Sequence, residues 1–244
     1  MAYDIVIDIG NTRAKTAVFK DGALLQPYTG SKNMDDLPTY ITEKEYRYGI
    51  ISSTANANKL QKSECHKLCN DMLYMSANTD IPLQLAHDTP ETLGNDRKAA
   101  CVGAAGLYPG KNLLVIDAGT AITYDIVSAQ GIMEGGNISP GKSIRFKALH
   151  NYTGKLPLLT SEKPENILGK TTRQSIINGV QYGFLSEVKW YIEHMTKEYK
   201  GLITIITGGD AGFLADNLKN SIFVHSDLVL FGLYRILMNY VETN

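Results

Sequence analysis

Cysteine is scarce in this chain: three in 244 residues, Cys65, Cys69 and Cys101, an odd number without the spacing of a disulfide framework. That excludes a disulfide-stapled scaffold and suits a reducing compartment. There is no apolar run of about 18 residues, so nothing reads as a membrane-spanning helix, and no charged and apolar leader stands ahead of the first strand. The expectation is a cytoplasmic protein that does not engage a membrane. Neither sign of charge is in excess: 24 Lys and Arg oppose 25 Asp and Glu, a net charge of −1 with acids and bases interspersed, so no global field draws the chain to nucleic acid. Linkers rich in Pro, Gly or Ser are also missing. What is present is 43% apolar content, enough to fill the core of one large domain or two small ones. Function must therefore come from local sites.

The most informative local feature is a pattern that occurs twice, about half a chain apart. In DIVIDIGNTRAKTAVF (Asp4 to Phe19) and in NLLVIDAGTAITYDIV (Asn112 to Val127), a β-branched run ends on an acid, Asp8 or Asp117. Glycine and a hydroxyl follow, Gly10 and Thr12 or Gly119 and Thr120, and a second apolar run resumes. Each copy reads as strand, tight turn, strand. A glycine there lets the backbone approach a ligand, Asn and Thr supply donors, and an acid can hold a cation that neutralises phosphate. Each copy alone is also compatible with an ordinary hairpin. Their repetition points to a duplicated unit that grips one nucleotide from two sides. A third run, ITIITGGDA (Ile203 to Ala211), ends a strand in a glycine pair beside an acid, as an adenosine-side turn would. The ensemble resembles the acetate and sugar kinase, heat-shock ATPase and actin superfamily. That resemblance implies an α/β fold of two ribonuclease-H-like halves facing a nucleotide cleft, with halves at 1–111 and 112–244.

The remaining elements follow from periodicity and punctuation. Strands are expected near 23–27 and 48–52, and helices within 34–43 and through 57–72. CHKLC (Cys65 to Cys69) places two thiols on one helix face, but no second ligand pair with zinc-like spacing accompanies it, so it reads as a structural helix. A helix enters at Asn95 or Asp96 and stops around Pro109 and Gly110. Three strand-like runs fill 113–138, with helices at 143–149 and 173–199. A strand at 202–207 and helices at 211–219 and 228–240 complete the chain.

Two further motifs compete for the chemistry. Gly136 to Ser143, GNISPGKS, spells a Walker A string. Pro140 deletes one of the backbone N–H groups from which a P-loop builds its anion nest, and AQGIMEGG is an interrupted strand. The string is therefore expected to be a substrate-side or interface loop, with the phosphates at the turns after Asp8 and Asp117. The second motif is LGNDRKAA (Leu93 to Ala100). Transfer of phosphate to an alcohol needs a carboxylate that accepts the hydroxyl proton, and otherwise mostly positioning and charge neutralisation. Asp96 suits that role. Arg97 beside it carries the planar fork suited to a carboxylate or phosphate. An Asp helix cap with a surface Arg is the plain alternative.

The set DIGNTRAK (Asp8 to Lys15), TPETLGNDRKAA (Thr89 to Ala100), DAGTAITYD (Asp117 to Asp125), GGNISPG (Gly135 to Gly141), LP at Leu156 and Pro157, GKTTRQSIINGV (Gly169 to Val180) and TGGDA (Thr207 to Ala211) runs in order along the chain. With it, the sequence is identified as a member of the type III pantothenate kinase family. The resemblance implies ATP-dependent phosphorylation of pantothenate to 4′-phosphopantothenate, the first step of coenzyme A synthesis. It places the first phosphate loop on Asp8, Ile9, Gly10, Asn11, Thr12, Arg13, Ala14 and Lys15, with Asp8 near magnesium-bound phosphates. It makes Asp96 the proton acceptor, and places pantothenate on Gly94, Asn95, Asp96, Arg97 and Thr172. Thr172 is preferred to Thr171 because Ser175 and Ile176 complete the T-x-x-[AS]-[IL] spacing. The resemblance further assigns a monovalent cation, potassium or ammonium, to Asp117 and a nucleotide contact to Thr120, and implies a homodimer with the substrate site near its interface. Relatives often carry a Tyr where this chain has His87, which becomes a substrate-side residue of smaller volume. Two other readings stand beside this one: a kinase of the same superfamily acting on another small molecule, and a non-catalytic accessory protein.

Overall fold

A computed structural model describes residues 3–10, 13–53, 65–164, 166–218 and 222–244. The described residues form two compact units. The first comprises Met1–Gly110, Val127–Gly135 and Asp227–Asn244, and the second Lys111–Ile126 and Gly136–Ser226. A break thus falls near residue 110, but the C-terminal segment belongs with the N-terminal unit.

In the first unit, β1 (Tyr3–Ile9) pairs antiparallel with β2 (Arg13–Lys20) and parallel with β5 (Tyr46–Ser53). The sheet runs β3-β2-β1-β5-β6, with β3 at Ala23–Leu24 and β6 at Met72–Tyr74, and β4 (Tyr28–Ser31) also pairs with β2. Strand β1 reads as a near-continuous apolar run because both of its faces are covered. Ile5, Ile7 and Ile9 pack on one face with Met34, Ile41, Cys65, Cys69 and Met72. Val6 packs on the other with helix α2 (Asn95–Leu107) and helix α6 (Leu228–Thr243). Cys65 and Cys69 are buried members of that first cluster, as a structural reading of CHKLC expects.

Several expected elements change length. The helix expected within 34–43 is the four-residue α1 (Thr39–Thr42). Met34 sits at φ 61°, Asp36 turns its carboxylate back to the Ser31 N–H, and Pro38 stands at the helix entry. The helix expected through 57–72 falls partly on residues outside those described. Residues 65–68 are helical, but Met72 opens β6, whose pairing with Gly49, Ile50 and Ile51 decides the matter against local propensity. The strand expected at 23–27 is the two-residue β3, and the pairings of β4 and of β7 (Gln84–Leu85) went unforeseen.

Two helices of the first unit touch through glycine. A Cβ on Gly232 of α6 would strike the Ala99 carbonyl of α2, and one on Gly103 of α2 would strike the Leu228 carbonyl. Phe19 stacks on Tyr234 of α6 at 4.0 Å, so the same helix is fastened to β2.

In the second unit, β8 (Leu113–Ala118) lies between β9 (Ala121–Val127) and β11 (Ile203–Thr207), and β12 (Ile222–Val224) flanks β11. Strand β10 (Ile132–Pro140) follows β9; its first residues, Ile132 and Met133, pair with β7 within the first unit. Helix α3 (Lys142–Asn151), the long α4 (Thr172–Glu198) and the short α5 (Ala211–Asn217) complete the unit. Its core joins Leu114, Ile116, Ile122 and Tyr124 to Phe184, Val188 and Leu214. The α/β class expected from sequence holds.

Gly232→Ala should destabilise the protein by about 2–3 kcal/mol, the usual cost of overpacking where backbone must move. Gly183→Ala, on the exposed side of α4 with open space for a methyl group, should instead stabilise by roughly 0.5–1 kcal/mol. Chemical denaturation of both variants checks the pair, and equal effects would refute the contact.

Candidate active site

Asp8 stands one residue before the end of β1, opposite Lys15 on β2 and Ser52 on β5. Side chains alternate along a strand, so Asp8 shares the face of Val6, which packs on Ala99 and Val102 of α2. The hairpin beyond it closes through Ile9 opposite Ala14 and the Gly10 N–H donating to the Arg13 carbonyl at 2.9 Å. Arg13 is exposed. Asn11 and Thr12, the expected donors of this turn, lie outside the described residues.

Helix α2 brings the other acid of this unit. Asp96 is its second residue, half-buried, and its Oδ1 accepts the Arg97 backbone N–H at 2.8 Å. The carboxylate therefore curls back over the helix entrance, where the dipole favours negative charge. It rests against Gly94: a Cβ there would collide with Asp96 Oδ1. Asn95 Nδ2 donates to the Met75 carbonyl at 3.2 Å. His87 follows β7, half-buried, with its Nδ1 buried and without a hydrogen-bond partner among the described residues.

In the second unit Asp117 lies opposite Thr207 of β11. The turn after it closes with the Gly119 N–H donating to the Ala121 carbonyl at 3.0 Å. Two other segments clasp this turn. The Asp210 N–H donates to the Ala118 carbonyl at 2.9 Å, and the Gly141 N–H to the Thr120 carbonyl at 3.1 Å. Gly208, at φ 91°, backs onto Asp117: a Cβ there would stand 2.5 Å from Asp117 Oδ1 and 2.7 Å from the Ala118 carbonyl oxygen. Among these groups the Asp117 carboxylate is a hard oxygen ligand of the kind alkali and alkaline-earth cations take. Thr120 is exposed.

The Walker-like string is not the loop expected. Strand β10 extends through Pro140 and α3 begins at Lys142, so Gly136 to Pro140 belong to a sheet and form no anion nest. Lys142 Nζ lies 2.9 Å from Asp210 Oδ1 and 3.8 Å from the centre of the Phe213 ring. Its charge is spent within the fold, fastening the segment after β11 to the one after β10.

Thr172 is the first residue of α4, and the capping role falls to Thr171, whose Oγ1 accepts the Gln174 N–H at 3.2 Å. Thr172 lines a cavity of about 990 Å³ with Arg145, Lys170, Thr171 and Ser175 on its polar side and Leu149, Leu156, Ile176 and Val180 on its apolar side. Arg145 is held in place by its Nε donating to the Pro140 carbonyl at 2.8 Å and by Glu187, 2.5 Å from its Nη2. Tyr124 donates to the other Glu187 oxygen at 2.9 Å. Burial first, and the Glu187 carboxylate second, push the Tyr124 phenol above its ordinary pKa, so it stays a donor. Sequence reading missed Arg145, Tyr124 and Glu187; they are scattered over three elements, and no local spacing marks them.

A family model described as type III pantothenate kinase matches residues 4–194. A type III pantothenate kinase of Bacteroides fragilis is 41% identical over 238 residues, 97% of this chain and 98% of the relative. The chain belongs to the type III pantothenate kinase family. Another member, from Flavobacterium psychrophilum, is 40% identical over 93% of this chain and 95% of its own length. Among solved structures, a Campylobacter jejuni protein described as a Baf family transcriptional activator aligns over 98% of this chain and 99% of its own, with TM-score 0.62 and 21% identity. A Sinorhizobium meliloti protein described as a 2-dehydro-3-deoxygalactonokinase aligns over 97% and 98%, with TM-score 0.61 and 12% identity. At such identities these two establish the shared fold and nothing more. All the site residues expected from sequence fall within the stretch that the type III pantothenate kinase model matches.

Gly94→Ala should leave the fold of this family member intact, because the atom it meets is the free end of a side chain, yet push the Asp96 carboxylate off the helix entrance. Turnover should drop by about 10- to 100-fold, the usual scale for an ångström of misplacement. Steady-state kinetics beside a thermal melt checks it, and unchanged turnover would show that Asp96 does not need this seat.

Proposed function

We propose that this chain phosphorylates the primary hydroxyl of pantothenate with ATP, in the first step of coenzyme A synthesis, and that Asp96 accepts the hydroxyl proton. The reaction follows from family membership at about 40% identity over nearly the whole chain. The observation that carries the role of Asp96 is its seat: a half-buried carboxylate at a helix entrance, on a helix packed against the sheet face that Asp8 shares. As the hydroxyl oxygen bonds to the γ-phosphorus, its proton passes to Asp96 and ADP leaves. Arg97 receives the pantothenate carboxylate through its fork, with Gly94, Asn95, Thr172 and His87 as further substrate contacts. The nucleotide phosphates rest on the turn of Asp8 to Lys15 and on Thr120, and Asp8 faces the magnesium that accompanies ATP. That magnesium neutralises phosphate charge when bound.

Asp117 holds a monovalent cation, potassium or ammonium. A second acid beside an anionic nucleotide is unfavourable unless a cation neutralises them, and the hard carboxylate oxygens of Asp117 suit one. The chain acts as a homodimer with the substrate site near its interface. Supporting this, Tyr152, Leu158, Ile167 and Leu168 are each more than half exposed near the chain segments that line the Thr172 cavity. Sedimentation at micromolar concentration should find a dimer, and a monomer there overturns this part.

Asp96→Asn should lower turnover by at least about two orders of magnitude, the typical weight of general-base catalysis, while the fold stays intact. Wild-type activity with pantothenate would remove Asp96 from the mechanism. For the cation, turnover in sodium or a bulky organic cation alone should be low and should recover with potassium. Asp117→Asn should lose that response. Equal rates of the wild-type protein in all these salts would detach Asp117 from a monovalent cation.

A further inference from the structure

Lys98 is fully buried, one of the largest side chains so placed, in the first turns of α2. A cation is seldom removed from water unless its contacts repay the desolvation. Its Nζ donates to the Ala77 carbonyl at 3.0 Å, while Asn95 Nδ2, one turn earlier, donates to the Met75 carbonyl at 3.2 Å. Both carbonyls belong to the segment that leaves β6, and Met75 is itself tied to β5 through its N–H to the Ile51 carbonyl at 2.9 Å. Strands β1, β5 and β6 run parallel, so Asp8, Ser52 and Met75–Ala77 all stand at the same carboxyl edge of the sheet, where open α/β sheets bind their ligands. Asn95 and Lys98 thus flank Asp96 and Arg97 and fasten that helix entrance to the edge carrying Asp8.

Resting on the assignment of Asp96 as proton acceptor, we infer that Lys98 is a positioning residue for the reaction: its ammonium, bonded to the Ala77 carbonyl, holds the Asp96–Arg97 turn of α2 at the carboxyl edge of the sheet. Burial pushes the Lys98 ammonium below its ordinary pKa, as expected for a charge held for a structural purpose at some energetic cost. Replacing it by Met keeps the length and apolar stem of the side chain and removes both charge and donor. Ala77 is exposed, so its freed carbonyl can turn to water. The fold therefore survives the change, and what is lost is the fastening.

The experiment compares wild type, Lys98→Met, Asp96→Asn and the double variant. In Lys98→Met, kcat with pantothenate should fall by about 10- to 100-fold, with the ATP KM changed by less than about threefold and the unfolding midpoint kept or raised. In the Asp96→Asn background, Lys98→Met should lower the residual turnover no further, because its effect passes through the carboxylate. Wild-type kcat in Lys98→Met overturns the inference even where Asp96→Asn is inactive. A further loss in the double variant equal to that in the single one assigns Lys98 to general stability and overturns it too. An active Asp96→Asn, by contrast, removes the proton-acceptor reading on which the inference rests.

Discussion

Strand β1 is covered on both faces, and the positions of the first unit's acids follow from that one constraint. Its odd residues belong to the cluster with Cys65 and Cys69, and Val6, between them on the opposite face, to the cluster with α2 and α6. A strand so enclosed has one admissible register, because a slip by one residue would exchange its two faces. Asp4 and Asp8 are even residues, so both carboxylates are committed to the α2 side. Asp4, nearly inaccessible to water, is met by Arg47 at 3.1 Å. Asp8 stands at the opposite end, one residue before the strand leaves the sheet.

The second unit solves the same problem with different fastenings. Its acidic turn at Asp117–Thr120 is clasped by backbone bonds from Gly141 and Asp210, and the ion pair of Lys142 with Asp210 joins those two segments to each other. Glycine at 141 and 208 is required by close approach, since a Cβ at either would overlap the turn. The string that spells a Walker motif is thus a sheet-to-helix junction. Its Gly141 and Lys142 are spent on packing the acidic turn supplied by other residues, and similarity in letters came without similarity in backbone.

The two hairpins, the helix entrance at Asn95, the long α4 and the C-terminal α6 were all legible in the chain, because each is marked by local rules: apolar period, an acid before glycine, an N-terminal polar residue. The family was legible through ordered motifs. Most of the short strands were not, and β3 proved shorter than its expected span. β4, β6 and β7 have four residues or fewer, too few for a period to register, and their identity rests on hydrogen bonds to β2, β5 and β10.

By itself, then, the sequence determined the α/β class, the family, and which acids, hydroxyls and guanidinium stand beside the turns and helix entrances, since those depend on residue type and near-neighbour spacing. Only tertiary structure decided that Lys142 belongs to Asp210, that the Asp96 carboxylate needs the bare Gly94 beside it, that Arg145 and Glu187 brace the Thr172 cavity, and that Lys98 lies buried against the segment after β6. Each of these depends on a partner brought up by the fold or on space left by packing, and side-chain burial and charge pairing are properties of that packing rather than of spacing along the chain.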